Sequence, residues 1–193
     1  MFQETGRFGR ITKNLRKLGF ENEMDKILFD SLEFNKLNKN DQTKYIETIV
    51  ERMDKIIGSE NTKRVLFECG SQCCGKSWSK FAKNVWEQSK SLDDFFVRIN
   101  KAEEKYNTYF VYDSKKNIIT LTRTKCICGL INKGEHFSKN KPFCNCSLGH
   151  MSVFFNSIFN VVDIKLKKSI YSGDKICEWL ITIESLSNKY RTK

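Results

Sequence analysis

The spacing of apolar residues changes part-way along this 193-residue chain, and this change constrains its fold most strongly. Up to about residue 105, apolar residues recur three and four positions apart, as between Asp41 and Gly58, which is typical of amphipathic helices. Beyond that point, short runs rich in β-branched and aromatic residues favour strands. The pattern predicts an α+β fold, with a helical N-terminal half packed on a four-stranded, mainly antiparallel sheet in the order β-β-loop-α-β-β.

Local signals place several of these elements. Ser91 and Asp94 form a capping-box pattern that predicts the start of a helix. Thr108–Asp113 and Ile118–Thr124 are expected to form a hairpin. The later elements are expected to be a Phe-rich helix with Ser147 as its N-cap, followed by two strands. Three further apolar stripes predict helices, and they run through Met24, Ile27, Leu28 and Leu32, through Trp78, Phe81, Ala82 and Val85, and through Leu92, Phe95, Phe96 and Ile99.

Charge divides the chain unevenly. The net charge is +11, from 34 Lys and Arg against 23 Asp and Glu, and residues 1–60 hold 11 of each sign, so the whole excess follows residue 60. We therefore predict a helical extension over 1–60 and an α+β ligand- and metal-binding domain over 61–193, together forming one compact unit. Nucleic-acid binding is not favoured, because the cations are mainly Lys rather than the Arg that reads phosphate and base edges.

Hydropathy places the protein in the cytoplasm. No apolar run approaches the 18 residues of a membrane span, and the N-terminus lacks the apolar segment of a signal peptide. In that compartment, clustered cysteines are more often metal ligands or reactive thiols than disulfides.

Two close cysteine pairs are the main chemical signal. They are Cys126-x-Cys128 and Cys144-x-Cys146, and two such pairs separated by a loop can deliver four thiolates to one zinc ion. Sulfurs around zinc lie roughly 3.8 Å apart, whereas residues i and i+2 of an extended strand are about 6.6 Å apart, so the chain must bend at each pair. Otherwise one cysteine of each pair binds and the other packs, or all four are inert buried thiols.

Other residues extend this candidate site. His136 and His150 are further candidate ligands, and either could instead be a surface or hydrogen-bonded histidine. Cys177 could be a small buried hydrophobic residue, and it joins the site only if its strand runs past the loop cysteines. The candidate zinc ligands are therefore Cys126, Cys128, Cys144, Cys146 and Cys177.

A second cysteine cluster suggests an alternative function. Cys69 and Cys73 lie four residues apart, and Cys74 follows them. On a continuous helix Cys69 and Cys73 share a face, where they could bind a metal or act as a nucleophile with a resolving thiol. A helix N-terminus near Ser71, together with Lys76, would activate Cys73 or Cys74 as the nucleophile of a cysteine-dependent hydrolase. A buried helical turn explains the same residues equally well.

The same segment also satisfies G-x-x-x-x-G-K-S, through Gly70, Gly75, Lys76 and Ser77. In a P-loop this pattern follows a strand, opens a helix and binds nucleotide phosphates. Val65–Phe67 is the candidate strand, but it is short, and the later strands suit antiparallel hairpins rather than a parallel nucleotide-binding sheet. Nucleotide binding is therefore the third hypothesis.

The C-terminal third resembles a known family. The run Cys144-Asn145-Cys146-Ser147-Leu148-Gly149, the Phe-rich helix, Val161–Ser169 and then Gly173-Asp174-x-x-Cys177-x-Trp179 are similar to the vinyl-4-reductase-like domain. That family is related to haem-NO-binding and transport-particle folds. It resembles this chain over about 60–80 residues. Cysteine-rich bacterial relatives of unknown function, distantly like thiazoline-carboxylate hydrolase, are also similar.

The resemblance implies a small-molecule-binding sensor module for an apolar or aromatic ligand. In its sensor branch, cysteines that match Cys177 and Cys144 or Cys146 hold a zinc ion. The further family cysteine is replaced here by Ser169, and Cys126 and Cys128 are the candidates to supply the missing thiolates. We expect a structural zinc, an apolar pocket between the Phe-rich helix and the sheet, and a candidate homodimer.

Overall fold

A computed structural model of the chain describes residues 1–73, 76–129 and 141–186. The helices are α1 (Gly6–Lys17), α2 (Met24–Leu28), α3 (Lys39–Ile57), α4 (Ser59–Cys73), α5 (Lys76–Glu87), α6 (Leu92–Glu103) and α7 (Asn145–Asn156). The strands are β1 (Thr108–Asp113), β2 (Ile118–Arg123), β3 (Phe159–Lys168) and β4 (Cys177–Leu186). The predicted α+β class is confirmed, and the four strands form one antiparallel sheet in the order β1-β2-β4-β3.

The chain forms two compact units. Unit 1 comprises residues 1–73, 126–149 and 171–173, and unit 2 comprises 74–125, 150–170 and 174–193. This division differs from the boundary expected near residue 60, because charge does not record which segments share a core. The segments that carry both Cys-x-Cys pairs belong to unit 1 with the N-terminal helices.

Unit 1 is built from helices α1 to α4 around one apolar core. Asn38 is the N-cap of helix α3, and its side-chain oxygen accepts a hydrogen bond of 3.0 Å from the Asp41 backbone N–H. Gly58 is the C-cap, and its φ of 80° suits glycine. The predicted helix over Asp41–Gly58 is thus confirmed. The buried core residues of this unit include Phe8, Ile11, Leu15, Met24, Ile27, Leu28, Ile46, Ile49, Met53, Val65 and Leu66.

Unit 2 joins helices α5 and α6 to the sheet. The predicted hairpin is confirmed, and its turn places Asn117 at a φ of 54° while an Asp113 carboxylate oxygen accepts two backbone hydrogen bonds. The Ser91 cap is also confirmed, since its hydroxyl accepts a 3.2 Å hydrogen bond from the Asp94 N–H. Asn100 of α6 pairs with both backbone polar groups of Phe110, at 2.8 and 2.7 Å, and this fixes α6 against β1.

The Phe-rich helix contributes to the core of unit 2. Phe154 and Phe155 are each 1% exposed, and their rings pack at 5.0 Å between centroids. Phe159 follows at the start of β3 and packs on Phe95 at 6.0 Å. These rings fill space against one another, so their spacing is explained by core packing, while the predicted apolar ligand pocket stays a prediction.

No helix within the described ranges is long and apolar enough to cross a membrane.

Candidate metal centre

Helix α4 carries the first pair of thiols in unit 1. Cys69 is buried and Cys73 is exposed, one helical turn further along. The Asn14 side-chain amide of α1, itself fully buried, donates a hydrogen bond of 3.4 Å to the Cys69 sulfur and one of 3.2 Å to the Gln72 side-chain oxygen. The Gln72 side-chain amide in turn donates a 2.9 Å hydrogen bond to the Asn14 side-chain oxygen. The two paired amides therefore hold the Asn14 side chain in place beside the Cys69 sulfur.

Two glycines allow another segment to approach α4 closely. A Cβ atom on Gly70 would overlap the carbonyl oxygen of Cys146, and one on Gly149 would overlap the carbonyl oxygen of Phe67. The first turn of α7 therefore lies directly against the last turns of α4. This approach brings Cys146 to the cysteines of α4, and an alanine at either glycine would prevent it.

The Cys-x-Cys pairs lie on the same core. Cys126, Cys128, Cys144 and Cys146 are all partly buried and pack against the apolar core that includes Cys69. Cys126 and Cys128 lie in an irregular segment after β2, Cys144 ends a 3-10 turn that begins at Lys141, and Cys146 lies in the first turn of α7.

Electrostatic coupling identifies the centre of this group of thiols. Burial raises the pKa of the Cys146 thiol well above its ordinary value. The further causes are the repulsions that the Cys146 thiolate would meet from four neighbouring cysteines in their ionised form, which are Cys128, Cys144, Cys69 and Cys73. We call the six residues Cys69, Cys73, Cys126, Cys128, Cys144 and Cys146 the thiol cluster.

Burial also raises the pKa of Cys69, to about 11, while its hydrogen bond from Asn14 and the charge of Arg10 oppose that shift. A second cation of α1, the Arg7 guanidinium, lies against Gly129, the residue that follows Cys128. Buried thiols that repel one another's negative charge are stabilised as thiolates by a bound cation. Metal binding by these thiols stays a prediction.

The described thiols are neighbours without being arranged as ligands. Within residues 1–73, 76–129 and 141–186, no three His, Cys, Asp or Glu side chains are positioned to hold a metal ion as they stand. Cysteine has a single side-chain torsion before its sulfur, and rotation between staggered positions moves the sulfur by a few ångströms. Metal binding at the cluster therefore requires such rotations.

Cys177 lies in unit 2, in β4 opposite Arg123 of β2. It is 8% exposed, and its sulfur accepts a 3.4 Å hydrogen bond from the Ile170 backbone N–H. Burial raises its pKa, whereas that hydrogen bond and Arg123 lower it. Its position in the metal site stays a prediction.

His150 also lies in unit 2. Its ring packs on Trp78 at 4.7 Å, and burial, with the nearby charge of Arg123, lowers its pKa to about 4. His150 is therefore neutral near pH 7 and fixed by an aromatic neighbour. The other candidate histidine, His136, lies outside the described residues.

Three sequence-based predictions about these segments are wrong. Ser71–Cys73 form the C-terminal end of α4, so the helix N-terminus expected near Ser71 to activate Cys73 is absent. Val65–Phe67 lie within α4 rather than in a strand, so the pattern Gly70, Gly75, Lys76, Ser77 lacks the strand-loop-helix context of a P-loop. Helix α7 begins at Asn145, and Ser147 therefore lies inside it, where its hydroxyl donates a 2.7 Å bond to the Cys144 carbonyl.

Cys74 and Gly75 lie outside the described residues. The hydrolase hypothesis for Cys74 therefore stays a prediction.

A surface groove of about 470 Å³ lies beside the close approach of α4 and α7. It is lined by Glu60, Asn61, Lys63, Arg64, Phe67, Asn145 and Leu148. The groove is lined by α4 and by the start of α7, whereas the expected pocket was between the Phe-rich helix and the sheet.

The thiol cluster contains residues that sequence reasoning kept apart. The sequence pattern places Cys69 and Cys73 in a separate cluster and indicates no role in a metal site for Asn14, Gly70 or Gly149. A glycine inside a helix usually marks a close approach of another segment, and that signal was present at Gly70.

Comparison with known proteins places the chain in a family. A family model matches residues 8–188, and its description is "Family of unknown function (DUF6144)". The chain belongs to this family. The match includes every residue of the thiol cluster and also Cys177, so both units lie within the family's extent. No curated protein and no solved structure matches the chain.

Proposed function

We propose that unit 1 is a metal-binding module that holds zinc through cysteine thiolates. The observation that carries the proposal is the position of Cys146, whose backbone lies directly against Gly70 of the helix that carries Cys69 and Cys73. Cys126, Cys128, Cys144 and Cys146 pack against the same apolar core, which includes Cys69. Thiolate sulfur is a preferred ligand of Zn²⁺, and structural zinc sites commonly use four cysteines. The ligands are drawn from the thiol cluster.

The surroundings suit a structural rather than a catalytic zinc. Four protein thiolates leave no open coordination position for water. The Asn14 amide donates to the Cys69 sulfur, and such outer hydrogen bonds orient a ligand and stabilise its charged form. Arg7, which lies against Gly129, and Arg10, whose charge acts on Cys69, supply positive charge that offsets the formal charge of −2 on a zinc ion with four thiolates.

A structural metal would connect segments that are distant in sequence. The cluster draws on α4, the segment after β2 and the start of α7, and closing such long loops is entropically costly. Metal–thiolate bonds between them offset that cost, as they do in small zinc domains.

Metal analysis of the intact chain tests this proposal. Protein purified under reducing conditions without added metal should carry at least about one zinc per chain, measured by native mass spectrometry and elemental analysis. Cys146→Ser should lose most of the zinc. Cys177→Ser is the matched control, because it changes the described cysteine outside unit 1 and should retain zinc.

Two results would overturn or revise the proposal. Wild-type protein that neither contains zinc nor takes it up under reducing conditions would overturn it. Loss of zinc in Cys177→Ser together with retention in Cys146→Ser would move the site away from unit 1. A homodimer or a bound small molecule would be visible in the same spectra.

A further inference from the structure

The groove beside the contact of α4 and α7 lies wholly within unit 1, and none of its lining residues belongs to the thiol cluster. Its volume is about 470 Å³. Small-molecule sites in proteins have volumes of about 300–1,000 Å³, so this volume suits a small organic ligand. Gly70 and Gly149 hold the two backbones in direct contact beside the groove, so its walls are in place before a ligand binds.

Arg64 supplies a positive charge at this groove. On an α-helix a cation pairs with acidic residues four positions away, and for Arg64 these are Glu60 and Glu68. Glu60 instead forms an ion pair with Lys63. Glu68 forms one with Lys17 of α1, at 2.7 Å. Among the residues that the structure describes, Arg64 therefore has no ion-pair partner, and its charge is available to a ligand.

Phe67 and Leu148 supply apolar surface to the same groove, one from each helix. Phe67 is 37% exposed and Leu148 is half-buried, so both leave apolar surface in contact with water. The stems of Lys63 and Arg64 add to this surface, because long cationic side chains are apolar up to their charged ends. An apolar ring placed between Phe67 and Leu148 removes surface of both from water, which is favourable.

We infer that this groove binds a small organic anion in which a carboxylate is attached to a flat apolar ring system. The carboxylate accepts two hydrogen bonds from the Arg64 guanidinium, whose planar fork matches its geometry. The ring lies between Phe67 and Leu148. The charge alone would suit an inorganic anion and the apolar walls alone a neutral compound, so the two together select an amphipathic acid. The inference does not depend on the proposed zinc function.

Titration of the full-length reduced chain with 2-naphthoate tests the inference, and 2-naphthamide is the neutral ligand of the same shape. Binding is followed by ¹H–¹⁵N nuclear magnetic resonance. We expect saturable binding of 2-naphthoate, with the largest backbone amide shifts in α4 and at the start of α7. 2-Naphthamide should bind about 10-fold more weakly, because hydrogen bonds between charged groups are stronger than those of a neutral amide.

Three variants separate the charge from the apolar walls. Arg64→Gln should weaken 2-naphthoate binding about 10-fold and leave 2-naphthamide binding unchanged. Phe67→Ala should weaken the binding of both ligands alike, because the ring is common to them. Arg98→Gln removes an exposed cation of α6 in unit 2, and as the matched control it should change neither affinity.

Several results would overturn the inference. They are a lack of saturable 2-naphthoate binding, equal affinities for the acid and the amide, an Arg64→Gln affinity equal to wild type, and shifts confined to unit 2. Zinc analysis of the same samples keeps the two proposals apart. A chain that lacks zinc and binds 2-naphthoate as expected would contradict only the zinc function, whereas one that holds zinc and binds no 2-naphthoate would contradict only this inference.

Discussion

Cys69 in unit 1 and Cys177 in unit 2 are buried to the same extent, yet their surroundings differ in kind. Each is 8% exposed, and burial raises the pKa of each thiol. Cys177 is surrounded by ordinary partners, a backbone N–H and the charges of Arg123 and Asp174. Cys69 belongs to a group in which thiols raise one another's pKa. The two cysteines are therefore distinguished by their neighbours and not by the extent of their burial.

The two units also differ in what stabilises them. Unit 2 has a sheet and an interlocked aromatic core, in which Phe95, Phe154 and Phe155 are each 1% exposed. Unit 1 has an apolar helical core that ends at the thiol cluster, where segments distant in sequence meet. We expect unit 2 to be independent of metal and unit 1 to depend on it.

Metal removal should give the largest difference between the units. A ligand present at about 1,000 times its dissociation constant stabilises the folded state by about 4 kcal/mol, and this is lost on chelation. All three tryptophans, Trp78, Trp86 and Trp179, lie in unit 2, so their fluorescence reports that unit alone. With chelator, thiol labelling in unit 1 should accelerate while the urea midpoint followed by tryptophan fluorescence stays unchanged. An equal loss of stability in both units on chelation would contradict the expected difference between them.

Acid should affect unit 2 through His150. Burial lowers the folded-state pKa of His150 to about 4, below the unfolded value of about 6.5. As the pH falls, the unfolded chain therefore binds the proton first. The contribution of His150 to the free energy of unfolding is fully present above pH 6.5 and is lost as the pH approaches 4. The loss is about 3 kcal/mol by linkage. Urea unfolding followed by tryptophan fluorescence measures it, and His150→Gln should flatten the dependence. An unchanged pH profile in that variant would assign the loss to other groups.

Gly70→Ala should disrupt unit 1 at the approach of α4 and α7. The added methyl group would overlap the Cys146 carbonyl oxygen, and we expect a loss of about 2 kcal/mol together with weaker zinc binding. Glu60→Ala, at an exposed position of the same helix, is the control and should change stability by less than about 0.5 kcal/mol. Normal zinc affinity in Gly70→Ala would show that this approach does not position Cys146.

Asn14→Ala should have the smallest effect. It removes the hydrogen bond to the Cys69 sulfur, and loss of such an outer contact lowers metal affinity by about 10-fold or somewhat more. Competition with a chromophoric chelator measures the change. Thr48→Ala, which removes an exposed hydroxyl on α3, should leave affinity unchanged. An Asn14→Ala affinity equal to wild type would remove Asn14 from the site.

The elements that could be predicted are those whose signals are local. The Ser91 cap, the helix from Asp41 to Gly58 and the hairpin each follow from spacing or turn chemistry within about 20 residues. Val65–Phe67 show the limit of this approach, because a short apolar run fits both a strand and a buried helix. Here Val65 and Leu66 belong to the buried face of α4, whereas Phe67 is exposed, and the helix prevails.

The candidate site could be predicted only in part. The two Cys-x-Cys pairs can be predicted to be partners, because the spacing that indicates it is local. Their association with Cys69 and Cys73 depends on Gly70 and Gly149, which are 79 residues apart and meet only in the folded chain. No periodicity records such a contact, and the letter pattern of a P-loop over the same residues gave a competing interpretation.

Zinc K-edge X-ray absorption on the wild-type protein, purified under reducing conditions, tests the central claim most directly. The account predicts a first shell made only of sulfur, with zinc–sulfur distances of about 2.3 Å. A shell dominated by nitrogen or oxygen at about 2.0–2.1 Å would contradict it, because the thiol cluster would then not be the metal site.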